Sequence, residues 1–119
     1  MIIYTATCEE WDKIKTQTEF SSEDYSIEGF IHCSYPNQTV WVLNKHFRNQ
    51  EKVMLLCIDP ELLKSNWISE DLKSKGEEFP HIYGNINIDA IVEVFDIQSS
   101  IEGLFYGNDR LKSLIKAVS

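Results

Sequence analysis

What the chain lacks narrows its function first. It has no basic run, and its 11 Lys plus Arg stand against 19 Asp plus Glu for a formal charge of −8. Phosphate backbones and anionic bilayer surfaces are held by clustered cations, so neither nucleic acid nor a membrane surface is an expected partner. It has no long apolar run either: the longest, Val53 to Ile58, is six residues, against the roughly 18 that would span a bilayer. Met1-Ile2-Ile3-Tyr4 carries neither a basic leader nor a small-residue cleavage site, so it reads as a first strand, and the expected compartment is the cytoplasm.

Cysteine is scarce and odd in number. Cys8, Cys33 and Cys57 sit in apolar surroundings, which suits reduced core thiols better than a disulfide framework. No C-x-x-C and no H-E-x-x-H occurs, and His32 and Cys33, adjacent in an extended segment, face opposite ways, so no metal site is expected. With only five glycines there is no dinucleotide fingerprint, no P-loop and no G-x-S-x-G elbow. A hydrolase triad of Ser34, a histidine and Asp59 therefore has only generic support.

What is present suits one domain. The chain has 119 residues, 43% of them apolar, enough for a single core without metal or disulfide staples. Ile2 to Ala6 reads as a strand. Thr7 followed by Glu10 is a capping-box signal for a helix near Glu9 to Gln17. Thr18 to Ser26 is polar and predicts a loop with room for a helical turn. Phe30 to Ser34 reads as a strand, and Pro36 opens a helix to about Phe47, with Val40, Leu43 and Phe47 as its buried stripe. Val53 to Ile58 predicts a central strand because it is apolar without interruption. Asp59-Pro60 then turns into a brief helical segment ending near Lys64. Short strands follow around Trp67, over Phe79 to Tyr83 and over Ile91 to Ile97. Asp109 is the expected cap of a last helix with Leu111, Leu114, Ile115 and Val118 on one face. Helices and strands that do not alternate regularly indicate an α+β domain.

Two segments hold the polar residues that are expensive to bury: Gly29 to Ser34 and Phe79 to Gly84. Strand alternation puts Phe30, His32 and Ser34 on one side with Ile31 and Cys33 on the other, and groups Phe79, His81 and Tyr83 opposite Ile82. If the two segments meet, two imidazoles, a phenol and a hydroxyl converge, with Gln38 from the following helix. Such a set can bind, orient and exchange protons near neutral pH. The third histidine, His46, stands between Lys45 and Arg48 and reads as a solvated helix residue.

Glu28-Gly-Phe-Ile-His32-Cys-Ser34 with Gln38 close behind, Leu-Leu-Cys-Ile-Asp59-Pro, Trp67, and Phe79-Pro-His-Ile-Tyr-Gly84 ahead of Asp89-Ala-Ile-Val92 resemble the small bacterial family catalogued as domain of unknown function 952. The resemblance runs from Tyr4 to about Phe105. It implies a split β-sandwich flanked by short helices, similar to the ADP-ribosyltransferase superfamily, which holds NAD in a cleft. On that likeness His32 and His81 become catalytic candidates, and Phe79, Tyr83, Ser34, Gln38 and Trp67 become ligand-binding candidates. Many members carry a glutamate directly after the residue matching Trp67. Here that position is Ile68, and Glu70 is the nearest carboxylate two positions on.

Three functions are then compatible with the residues. The first is an enzyme acting on NAD or an ADP-ribosyl compound, with NAD as substrate and no resident cofactor. The second is a non-catalytic domain that binds a small nucleotide or metabolite. The third is a structural or protein-interaction domain in which both motifs brace the fold.

Overall fold

The longest apolar run lies in the middle of the protein, and that is what makes it central. In a computed structural model, which describes residues 1–118 apart from the side chains of Asp24 and Val118, Lys52–Ile58 forms strand β4. It lies between β1 (Ile2–Thr7) and β8 (Ile91–Gln98), antiparallel to both. Both faces of this sheet are covered, so β4 has no solvent face and no need to alternate. Val53, Leu55, Leu56, Cys57 and Ile58 are all fully buried.

On one face Leu55 and Cys57 pack with Leu43 of α3 (Thr39–His46) and with Leu111 and Leu114 of α4 (Asp109–Val118). The expected stripe on α3 holds, with Leu43 fully buried and Val40 and Phe47 packed at its edges. Arg110 of α4 forms a two-pronged ion pair with Glu93 of β8, which pins the helix to the sheet. The cap of α4 is Asn108 rather than Asp109, because the Asn108 carboxamide oxygen accepts from the Leu111 N–H at 2.9 Å. The place of the Val118 side chain on this face lies outside the described residues.

The other face of the sheet closes the larger core. Tyr4, Leu56 and Ile58 meet Ile31, Cys33 and Ile82 from a second antiparallel sheet, in the order β3 (Ile31–His32), β6 (Phe79–Tyr83), β5 (Asn66–Glu70). A two-stranded ladder of β2 (Glu19–Phe20) and β7 (Ile86–Asn87) adds Phe20 and Ile86 to the same core. The result is one α+β domain of two facing antiparallel sheets with short helices around them.

Local signals hold in part. Thr7 caps α1 (Cys8–Ile14) by accepting from the Glu10 N–H at 3.1 Å, but the Glu10 carboxylate takes the Tyr4 hydroxyl at 2.8 Å. Cys8, expected in the core, is only half-buried at the start of α1, while Cys33 and Cys57 are buried; all three are free thiols. Burial, with Glu93 nearby, pushes the Cys57 thiol up to about 11, so it stays protonated and unreactive. The polar stretch after Thr18 is more ordered than a loop, since it holds β2 and then α2 (Glu23–Glu28). No helix among the described residues is long and apolar enough to cross a membrane.

Candidate functional site

The outer face of the second sheet carries the polar and aromatic residues of both motifs, and their placement follows from register. His32 pairs with His81, Ile68 pairs with His81 from the other side, and Glu70 pairs with Phe79. Directly opposed residues in an antiparallel pair share a face, so His32, Phe79, His81, Tyr83, Ile68 and Glu70 all stand on the side away from the core.

Phe30 is the hub of this face. Its ring stacks on His81 with centroids 4.2 Å apart, meets His32 edge-on at 4.8 Å and lies 5.5 Å from Tyr83. The two imidazoles are themselves 5.3 Å apart and nearly perpendicular. Offset and edge-to-face arrangements of this kind are what ring quadrupoles favour, so the cluster holds its own geometry.

Each imidazole has a carboxylate. Glu70 Oε1 accepts from His81 Nδ1 at 2.9 Å and also from the Tyr83 hydroxyl. These two bonds, the phenol's first, hold the Glu70 carboxyl below the usual carboxylate range, and the same bond holds the Tyr83 phenol above its usual range. With the carboxylate on Nδ1, the proton of a neutral His81 is fixed there and Nε2 carries the lone pair. The only buried side-chain polar atom without a partner among the described residues is Ser22 Oγ. The Nε2 lone pair of His81 is thus not sealed into the protein.

The second pair is His32 Nε2 with Glu28. Glu28 ends α2, and Gly29 follows it in the left-handed conformation at φ 85°, its N–H closing on the Tyr25 carbonyl. That turn brings the chain back so that a residue four positions on lies beside the helix end. The left-handed step suits glycine alone at low cost. A carboxylate at a helix C-terminus is disfavoured by the helix dipole, and the hydrogen bond with His32 Nε2 offsets that.

The structure does not bring every expected residue to this face. Ser34 leaves it because the chain changes sheets there: Ile31 and His32 pair with β6, while Ser34 exchanges both backbone bonds with Ile3 of β1, at 2.7 and 2.8 Å. Its hydroxyl is buried against Thr39 Oγ1 at 2.9 Å. Gln38 is buried and fully engaged: Oε1 accepts from the Tyr35 N–H, and Nε2 donates to Glu77 and to the Glu78 carbonyl. It ties the β5–β6 loop down rather than lining a cleft. Trp67 pairs with Ile82 and packs against the core, on the face opposite the histidines. Asp59 caps the short turn after β4 by accepting from the Glu61 N–H, far from any triad role. Phe79 is on the histidine face, at its Trp41 end.

Phe30 was expected on this face beside His32, but Glu28 was not among the residues that the sequence nominated. The signal for Glu28 was its four-residue spacing to His32 across a glycine. No group of three or more His, Cys, Asp or Glu among the described residues is placed to hold a metal ion. Two open surface hollows, one beside Cys8 and Lys52 and one between Asn49 and Gly103, lie clear of the ring cluster.

Comparisons with known proteins agree with this architecture and name no activity. The chain is similar to protein CC0527 from Caulobacter crescentus. The crystal structure of that protein matches with a TM-score of 0.82 at 28% identity, over 93% of this chain and 97% of that one. Its solution NMR structure matches with a TM-score of 0.68 at 30% identity, over 87% and 89%. No curated protein matches. Residues 5–94 match the family described as protein of unknown function, DUF952, and by that match the chain belongs to the DUF952 family.

Proposed function

We propose that the ring face of the second sheet is an active site for NAD or a related ADP-ribosyl compound, on a split β-sandwich of the ADP-ribosyltransferase kind. The observation that carries this reading is the Glu70 carboxylate, held by Tyr83 and His81 together at the edge of a stacked ring cluster. Glu70 stands two residues beyond the position where related chains carry a glutamate, and a two-residue step along a strand keeps the same face. The carboxylate is displaced but remains with the histidines.

The chemistry follows from the charges. In N-glycosidic cleavage the bond between the anomeric carbon and the pyridinium nitrogen breaks, and its electron pair leaves with nicotinamide. The ribosyl carbon becomes oxocarbenium-like, and Glu70, kept ionised, stabilises that charge. Water or an acceptor hydroxyl then adds to the carbon and gives its proton to an imidazole, for which the lone pair on His81 Nε2 is available. The cationic nicotinamide ring suits a face built of Phe30, Tyr83 and two carboxylates. No resident cofactor or metal is called for.

A second reading has one observation in its favour: Ile68, not a carboxylate, is directly opposite His81, which fits a cleft retained for binding a nucleotide or metabolite without turnover. Incubation with NAD separates the two. The enzyme reading expects released nicotinamide or a covalent ADP-ribosyl adduct that is lost in Glu70→Gln. Saturable binding with no chemical change would replace it with the binding module, and no binding at all would remove both.

A further inference from the structure

The ring face does not stop at His81. Phe79 follows two residues earlier on the same strand face, and the Trp41 ring of α3 lies against it, centroids 6.0 Å apart and 36° from parallel. Lys45, one turn along α3, places Nζ 4.8 Å from the centre of the Trp41 ring. Trp41 is 55% exposed although its neighbours on the helix, Val40 and Leu43, turn inward. A large indole left open beside a phenyl ring, with a lysine ammonium above it, is a feature that the fold does not require.

Resting on the NAD reading above, we propose that Trp41, Phe79 and Lys45 form a second subsite that takes the purine base and a phosphate of the dinucleotide, while the nicotinamide end occupies the Phe30, His32 and His81 cluster. The charges divide the face in this way. Glu28 and Glu70 flank the histidine end, which attracts a cationic ring and repels phosphate. Lys45 makes no ion pair among the described residues. The nearby Glu77 and Glu78 carboxylates are turned to Gln38 and Ser69. Phosphate therefore has one favourable end.

Phe79 stands one alternate strand step, roughly 6.7 Å, from His81, and the Trp41 ring lies 6.0 Å from Phe79. The second ring platform therefore continues the face beyond the histidine cluster. An exposed indole accepts any base by stacking, because every base offers a π face. Lys45 supplies a point charge in reach of a phosphate oxygen.

Calorimetric titration of wild type, Trp41→Ala and Lys45→Gln with NAD, AMP and nicotinamide mononucleotide tests this. Trp41→Ala is expected to weaken NAD and AMP by about tenfold and to leave nicotinamide mononucleotide unchanged. Lys45→Gln is expected to weaken NAD and AMP and to flatten their salt dependence. If NAD binds and His32→Ala abolishes it, while Trp41→Ala and Lys45→Gln bind as wild type does, the subsite is wrong and the NAD reading stands. If AMP binds in a Trp41-dependent way but nicotinamide mononucleotide does not bind, the subsite stands and the NAD reading fails. If none of the three ligands binds wild type, both are overturned. Because Trp41 and Lys45 are exposed, both variants should melt as wild type does, so lost binding is not lost folding.

Discussion

Two imidazole–carboxylate pairs lie side by side on one sheet face, and they are built to different ends. In the His81–Glu70 pair the side chains are 7% and 20% exposed; in the His32–Glu28 pair they are 44% and 47% exposed. The first pair is held from several directions, by a neighbouring strand, by the Tyr83 hydroxyl and by the Phe30 ring. The second joins a helix end to a short strand across one glycine and is open to solvent. A buried pair holds its groups in one orientation, as a reacting pair needs; an exposed pair contributes little to stability and meets a ligand freely.

The comparison is sharpest where the two histidines are removed in turn. His81→Ala loses a stacked ring and leaves Glu70 without one of its donors. It should destabilise the protein by about 2–4 kcal/mol in urea unfolding. A loss as small as that of a surface substitution would mean that the pair is not the ordered element described here.

The pH dependence should come next in size, and its sign is fixed by the two shifts. Glu70 has its folded pKa lowered, so its contribution is present above the ordinary carboxylate range and is lost as pH falls through the folded value. Tyr83 has its folded pKa raised, so its contribution is present below the ordinary phenol range and is lost as pH rises through the raised value. The stability difference between wild type and Glu70→Gln should therefore shrink as pH falls through the folded value of Glu70. A difference that grew on acidification would reverse the assignment.

Ser34→Ala should cost about 1 kcal/mol by removing the bond to Thr39, and should leave the affinity for NAD unchanged. A loss of affinity would return Ser34 to the site. The smallest stability effect belongs to the exposed pair: His32→Ala should alter unfolding free energy by no more than about 0.5 kcal/mol. A large destabilisation there would make both pairs structural and erase the contrast.

Much of this was legible in the chain, and the misses have physical reasons. An unbroken apolar run placed β4 at the centre, and Phe79–Tyr83 was delimited by its own aromatic ends and Gly84. At Gly84 the backbone has φ 152°, and an added Cβ would come within 2.4 Å of Ser65 Oγ, so the strand can end in that way only at glycine. Strand alternation grouped His32, His81 and Tyr83 correctly. It failed at Ser34 because alternation assumes that a segment stays in one sheet, and here the chain passes from β6 to β1 within two residues. Trp67 was misplaced for the complementary reason: its side is set by register with Ile82, which one strand alone does not reveal. Glu28 needed the left-handed turn at Gly29, a long-range consequence of one residue. Gln38 looked like a ligand group because a buried amide and a binding amide have the same sequence signature; only its three hydrogen bonds separate them.

The central claim is that the ring face receives a ligand and does not only brace the sheet. Titration of NAD into wild type and His32→Ala, with the melting temperature of each recorded alongside, tests it most directly. The account predicts saturable binding to wild type and at least a roughly tenfold weaker affinity in His32→Ala, a loss of about 1.4 kcal/mol, at an unchanged melting temperature. Absence of binding to wild type, or equal binding in a His32→Ala protein that melts as wild type does, would contradict it.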